Sequence, residues 1–185
     1  MTFDAITPPL LTLDDLNRMS ADQAAPLLQS CCGAREWVSR MLDRRPFDQL
    51  DALLSTADHV WRSLSSADWL EAFSHHPRLG EQRAHAATTT MARDWSAAEQ
   101  SRISDATQIA RAALADANRA YEARFGYICI ICATGKSVED LLAITRSRLA
   151  NTPAVELPVA AEEQRKITRL RLARLVEATP TQLSA

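Results

Sequence analysis

Chemistry-capable residues cluster around His76, which stands directly before Pro77. A proline excludes helical backbone from the residue ahead of it, so His76 lies in an extended stretch that fixes the direction of its imidazole. A fixed imidazole with a pKa near neutrality suits proton transfer; an ordinary surface histidine in a loop is the other reading. Glu99 closes the capping-box spacing Ser96-Ala97-Ala98-Glu99, in which a glutamate simply reaches back to the cap nitrogen. It also stands four residues before Ile103, which turns it toward an apolar stripe, and an inward carboxylate needs a partner or a ligand. Gln100 beside it offers both a donor and an acceptor. Arg171 belongs to a basic run with Arg165, Lys166, Arg169 and Arg174, which reads as a solvated face. It follows Ile167 by four residues, however, and an arginine leaning to the apolar side would suit a bound carboxylate.

Other constellations are less suited to chemistry. His75, His76, Glu81 and His85 could be taken for a metal cluster, even for a metal-dependent hydrolase. Adjacent histidines in an extended chain point to opposite sides, though, and no pair four apart lies on a helix, so no metal is expected. Cys129-x-x-Cys132 has redox spacing but lies in an apolar run, where thiols become inert. Cys31 and Cys32 are adjacent, and packing is expected for all four cysteines. Gly135-Lys136-Ser137 resembles the end of a phosphate loop, but Ile130 stands where that motif needs glycine.

The elements that must position these residues read as helices. Ser20-Ala21-Asp22-Gln23 is a capping box opening a helix that Cys31-Cys32-Gly33 ends. Trp37, Val38, Met41 and Leu42 carry the next, closed by Arg45-Pro46. An apolar stripe from Leu50 to Leu64 predicts a helix over about 47–64, and Ser66 is expected to cap one over 67–73. The segment 74–80 is an ordered turn or loop, and 81–93 is polar and Thr-rich, the expected mobile stretch. A long helix follows from Ser96 to Phe125 along Ile103, Thr107, Ala110, Leu114, Ala117 and Tyr121. Tyr127 to Ala133 resembles a buried strand, but no second such strand exists to pair with it, so a buried extended or helical segment is expected. Ser137-x-x-Asp140 opens another helix, and Pro158 is expected in the first turn of the last one, with Ile167, Leu170 and Val176 inward.

Composition fits this picture. The chain has 185 residues, of which 46% are hydrophobic and 24% charged, with only 4 glycines. These values point to one globular, all-α domain over 1–185, a compact bundle of about seven to nine helices. A net charge of -2 gives no reason to expect nucleic acid or an anionic membrane, and no apolar run could span a bilayer. With no secretory pattern at the start, the cytoplasm is the expected location.

Taken together, several motifs carry a resemblance. They are His76-Pro77-x-Leu79-Gly80, Ser96-x-x-Glu99-Gln100, Asn118-x-x-Tyr121-x-x-x-Phe125-Gly126, Ile130-Ile131-Cys132-Ala133-x-Gly135-Lys136, Arg148-Leu149-x-Asn151 and Lys166-Ile167-x-x-Leu170-Arg171-Leu172. In this order, from about Leu10 to Val176, the chain resembles the OHCU decarboxylases, which act on 2-oxo-4-hydroxy-4-carboxy-5-ureidoimidazoline. The resemblance implies an all-helical fold, a homodimer, a small-molecule substrate and no cofactor. It implies that His76 is the catalytic histidine, completed by Glu99 and Arg171. It further implies substrate contacts from Pro77, from Ser96 to Gln100, and from backbone groups of Cys129, Ile130, Ile131, Cys132 and Ala133. Cys129 departs from the larger apolar residue common at its position. The alternative is an inactive ligand-binding or regulatory module of the same fold.

Overall fold

The computed structural model describes residues 11–78 and 108–176. Within them, regular structure is entirely helical: α1 (Leu13–Arg18), α2 (Ala21–Cys31), α3 (Arg35–Leu42), α4 (Leu50–Arg62), α5 (Ser66–Ser74), α6 (Gln108–Phe125), α7 (Val138–Arg148) and α8 (Pro153–Val176). Helix starts follow local side-chain chemistry. Thr12, Ser20, Ser65 and Ser137 each accept from the backbone three residues on, and Asp15, Gln23, Asp68 and Asp140 return the bond. The expected boxes at Ser20 and Ser137 are therefore present. The expected cap at Ser66 is corrected to Ser65, because only from Ser65 does Asp68 occupy the third helical position.

Two further boundaries differ from expectation. Helix α4 begins at Leu50, since Phe47 is tied backward: its N–H donates to Asn17 Oδ1 and its carbonyl accepts from Asn17 Nδ2. Helix α8 begins at Pro153, which places Pro158 inside it instead of in its first turn. Pro158 and Ala154 are both exposed, so the carbonyl freed by the missing N–H can be hydrated.

Helix α8 packs against α2, α4 and α5, while α3 bridges α2, α4 and α5. Tryptophan N–H groups tie these layers together. Trp37 donates to the Ala57 carbonyl at 3.2 Å, and Trp61 to the Ala161 carbonyl at 2.9 Å. Helices α6 and α7 pack on each other around a second apolar cluster of Leu114, Tyr121, Val138 and Leu141. No helix among the described residues is long and apolar enough to cross a membrane.

The segment 127–133 joins the two clusters. Ile130 and Cys132 lie in the larger one, with Ile128 packed against it; Cys129, Ile131 and Ala133 lie in the smaller. Alternation is what an extended backbone produces, since successive side chains point to opposite sides. The stretch resembles a strand in sequence because both of its faces are buried. Side chains then satisfy backbone groups that a neighbouring strand would otherwise take. Arg148 Nη1 donates to the Ile130 carbonyl at 2.7 Å, Glu163 Oε2 accepts from the Cys132 N–H at 2.8 Å, and Lys136 Nζ donates to the Cys132 carbonyl at 2.5 Å.

Candidate active site

His76 leaves the end of α5, where its N–H still donates to the Phe73 carbonyl at 3.1 Å. The turn is held from below by Gly33, where an added Cβ would stand 2.6 Å from the Cβ, Cγ and Cδ2 of His75. Only a residue without a side chain lets the α2–α3 junction approach this closely. One flank of His76 lines a cleft of about 350 Å³ together with Phe73, Arg78, Glu122, Tyr127 and Ile128. Arg78 meets Glu122 through two hydrogen bonds, Nε to Oε2 at 2.8 Å and Nη2 to Oε1 at 2.7 Å, which ties the histidine turn to α6.

On the other flank, α8 presents Gln164, Thr168 and Arg171 at helical spacing. All three are buried, Arg171 being only 6% exposed, so the solvated-face reading of its charge run is corrected at this position. The neighbouring Arg165 and Arg169 do lie farther out, bound to Asp58 of α4 at 2.7 and 2.9 Å. Arg171 Nη1 donates to the Ser30 carbonyl at 3.4 Å, which sets its guanidinium beneath the end of α2.

Burial and, next, the Arg171 charge push the His76 pKa from 6.5 down to about 3, while Gln164 acts in the opposite direction. The residue is half-buried and keeps part of its surface open to the cleft. The sequence led to an imidazole titrating near neutrality. The site instead holds a neutral imidazole at physiological pH, with one nitrogen carrying the N–H and the other a lone pair.

The cysteines are inert by comparison. All four are free and buried. Burial raises Cys31 and Cys32 to about 12 and Cys129 to about 11. Cys129 and Cys132 belong to opposite clusters, so their sulfurs face apart and cannot act as a pair. No group of three potential metal ligands occurs among the described residues; Glu81 and His85 fall outside them.

The family model for OHCU decarboxylase matches residues 17–173. The chain belongs to the OHCU decarboxylase family. It is 35% identical over 145 residues to the uric acid degradation bifunctional protein TTL of Arabidopsis thaliana, covering 78% of this chain and 45% of that protein. A 64-residue stretch, 35% of this chain and 37% of the other, is 39% identical to the 2-oxo-4-hydroxy-4-carboxy-5-ureidoimidazoline decarboxylase of Amia calva. The chain spans less than half the length of these curated relatives. Among solved structures, an OHCU decarboxylase crystallised in the presence of (S)-allantoin superposes with a TM-score of 0.71 at 34% identity, covering 82% of this chain and 98% of that one.

Of the residues that the resemblance to OHCU decarboxylases marks, the fold brings His76 and Arg171 together from α5 and α8. Pro77 follows directly, half-buried. Glu99, Ser96 and Gln100 lie outside the described residues. Cys129 to Ala133 are buried, and the cleft wall is made instead by Gly126, Tyr127 and Ile128 just before them. Because Glu163 takes the Cys132 N–H and Arg148 the Ile130 carbonyl, these two backbone groups are already engaged. Gln164 and Glu163 were not singled out in the sequence. Their signal was faint: polar residues three and four positions before Ile167, on a helix whose inner face is otherwise mostly apolar.

Proposed function

We propose that the chain decarboxylates 2-oxo-4-hydroxy-4-carboxy-5-ureidoimidazoline to (S)-allantoin without a cofactor, as a single domain over 1–185. The observation that carries this reading is a neutral His76 set beside the buried Arg171 cation in a chain of this family. The substrate holds its carboxylate and hydroxyl on one ring carbon, next to a ring carbon–nitrogen double bond. When the bond to the carboxylate breaks, carbon dioxide leaves and the electron pair forms a double bond to the adjacent ring carbon. The carbon–nitrogen pair moves onto nitrogen, which takes a proton. The resulting enol gives up its hydroxyl proton, and the carbon bearing the ureido group takes one on a single face. The substrate thus serves as its own electron sink.

The protein's part is orientation, charge stabilisation and proton handling. His76 accepts the hydroxyl proton and handles delivery to the ring; Arg171 anchors the polar ureido or ring-carbonyl end. Glu99 fixes the hydroxyl or the imidazole, with further contacts from Pro77, Ser96, Gln100 and those backbone groups of Cys129 to Ala133 that Arg148, Glu163 and Lys136 leave open. The acting form is a homodimer, for which the exposed Val155 and Val159, one turn apart on α8, offer an apolar face. The proposed setting is the cytoplasm, which suits four free thiols.

Circular dichroism of freshly generated substrate tests the activity. The wild-type chain is expected to speed decay and give an excess of the (S) enantiomer, whereas spontaneous decay is racemic. His76→Ala should abolish the excess, and near-normal turnover by that variant would remove His76 from the mechanism. Binding of allantoin with no rate gain would favour the inactive ligand-binding alternative.

A further inference from the structure

Gln164 is completely buried on the inner face of α8. Its Nε2 donates to Thr168 Oγ1 one turn further on, at 3.2 Å. Its Oε1 is buried and has no hydrogen-bond donor among the described residues. A buried amide oxygen without a donor is costly, so its persistence in a folded protein asks for a partner in the working state. The Thr168 contact holds the amide so that the nitrogen end points along the helix and the oxygen end is left for a neighbour. The neighbour on that side is the His76 imidazole.

We infer that Gln164 is a positioning residue for His76: its amide oxygen takes the N–H of one ring nitrogen and thereby selects the tautomer whose other nitrogen presents a lone pair to the substrate. A neutral imidazole has one N–H and one acceptor nitrogen, and which is which follows from the hydrogen bond the N–H makes. Without an orienting acceptor the ring would divide between two tautomers, only one of which is useful as a base. A carboxylate in this place would fix the tautomer too, but it would also draw a proton onto the ring. An amide fixes the tautomer and leaves the ring neutral, which matches the other groups facing it: Arg171 from α8 and His75 from its own turn, with Arg78 and Glu122 bordering the cleft. Proton acceptance by His76 belongs to the decarboxylase reading, so the rate arm below rests on that reading; the tautomer arm does not.

The test uses the full chain labelled with nitrogen-15 histidine, with the His76 signals assigned by their loss in His76→Asn. In the wild type at neutral pH, His76 is expected to show one protonated and one unprotonated nitrogen. Gln164→Leu should shift these toward averaged signals, and should lower kcat by about ten-fold or more while KM stays within about three-fold. Gln164→Glu keeps an acceptor, so it should retain the single tautomer while raising the pH at which His76 takes its second proton. Averaged His76 signals in the wild type would overturn the inference, even if the leucine variant failed to fold. So would a folded Gln164→Leu with an unchanged His76 spectrum, or with raised KM and unchanged kcat, which would make Gln164 a direct substrate contact. If the wild type gave no rate gain at all, the decarboxylase reading would fail while the spectrum would still decide the role of Gln164.

Discussion

Arg148 donates to the Ile130 carbonyl across 2.7 Å while its Nε meets Glu156 Oε1 at 2.7 Å, so one buried ion pair also fixes backbone between the two apolar clusters. Glu156 has no exposed surface and further accepts from the Tyr121 hydroxyl and from Asn151 Nδ2. Removing one partner would leave the other charge buried without compensation. Glu156→Ala is therefore expected to destabilise the fold by about 3–5 kcal/mol, read from urea unfolding. The double change Glu156→Leu with Arg148→Met should cost less than Glu156→Ala alone. Costs that simply add would contradict the coupling.

Gly33 sets a different kind of limit. An added methyl would stand 2.6 Å from three His75 side-chain atoms, so Gly33→Ala must push that turn away. The expected loss is about 1–3 kcal/mol in stability, together with reduced turnover because His76 moves with His75. A thermal melt and a turnover assay on the same preparation check both; unchanged turnover would detach the turn from the chemistry.

For Arg171, charge alone is not enough. Its guanidinium reaches the Ser30 carbonyl and stands beside His76, so a lysine would keep the charge but lose the planar fork. Arg171→Lys is expected to lower kcat/KM by about ten- to a hundred-fold, mainly through KM. An unchanged KM would exclude Arg171 from substrate anchoring.

Acid should weaken the fold through His76. Its pKa lies near 3 in the folded chain against 6.5 normally, so between those values the unfolded chain binds more protons. Stability is then full above pH 6.5 and falls as the pH drops, by up to about 1.4 kcal/mol for each pH unit. Glu122 and Glu163, held below 4.5 by Arg78 and by Lys166 with the Cys132 N–H, add their share only further down. Urea midpoints measured from pH 7 to 4.5 should slope in the wild type and flatten in His76→Gln. Equal slopes would argue against a neutral His76.

Much of the fold was legible because its signals are local. The boxes at Ser20 and Ser137 each lie within four residues, and side-chain chemistry at that range needs no tertiary partner. Where two candidates compete, locality is less decisive. Ser65 and Ser66 differ only in which of them Asp68 serves, and Pro153 and Pro158 both suit a first turn. The site was harder to see. His76 stood out through its proline, but Gln164 acts across a gap of more than eighty residues, and nothing near it in the chain marks that meeting. Joining Arg171 to His76 required the whole order of motifs, because its basic neighbours resemble an ordinary wet face.

The extended run between the clusters also bears on how the molecule comes apart. Ile130 and Cys132 belong to one body of packed side chains, Cys129, Ile131 and Ala133 to the other. Loosening α6 from α7 would uncover every second residue of that run, whose other residues are packed in the larger cluster. Neither half can then open to solvent while the other stays closed. Slow amide exchange should therefore be shared evenly across both, and the protein should resist partial opening, the state from which proteases and aggregation begin.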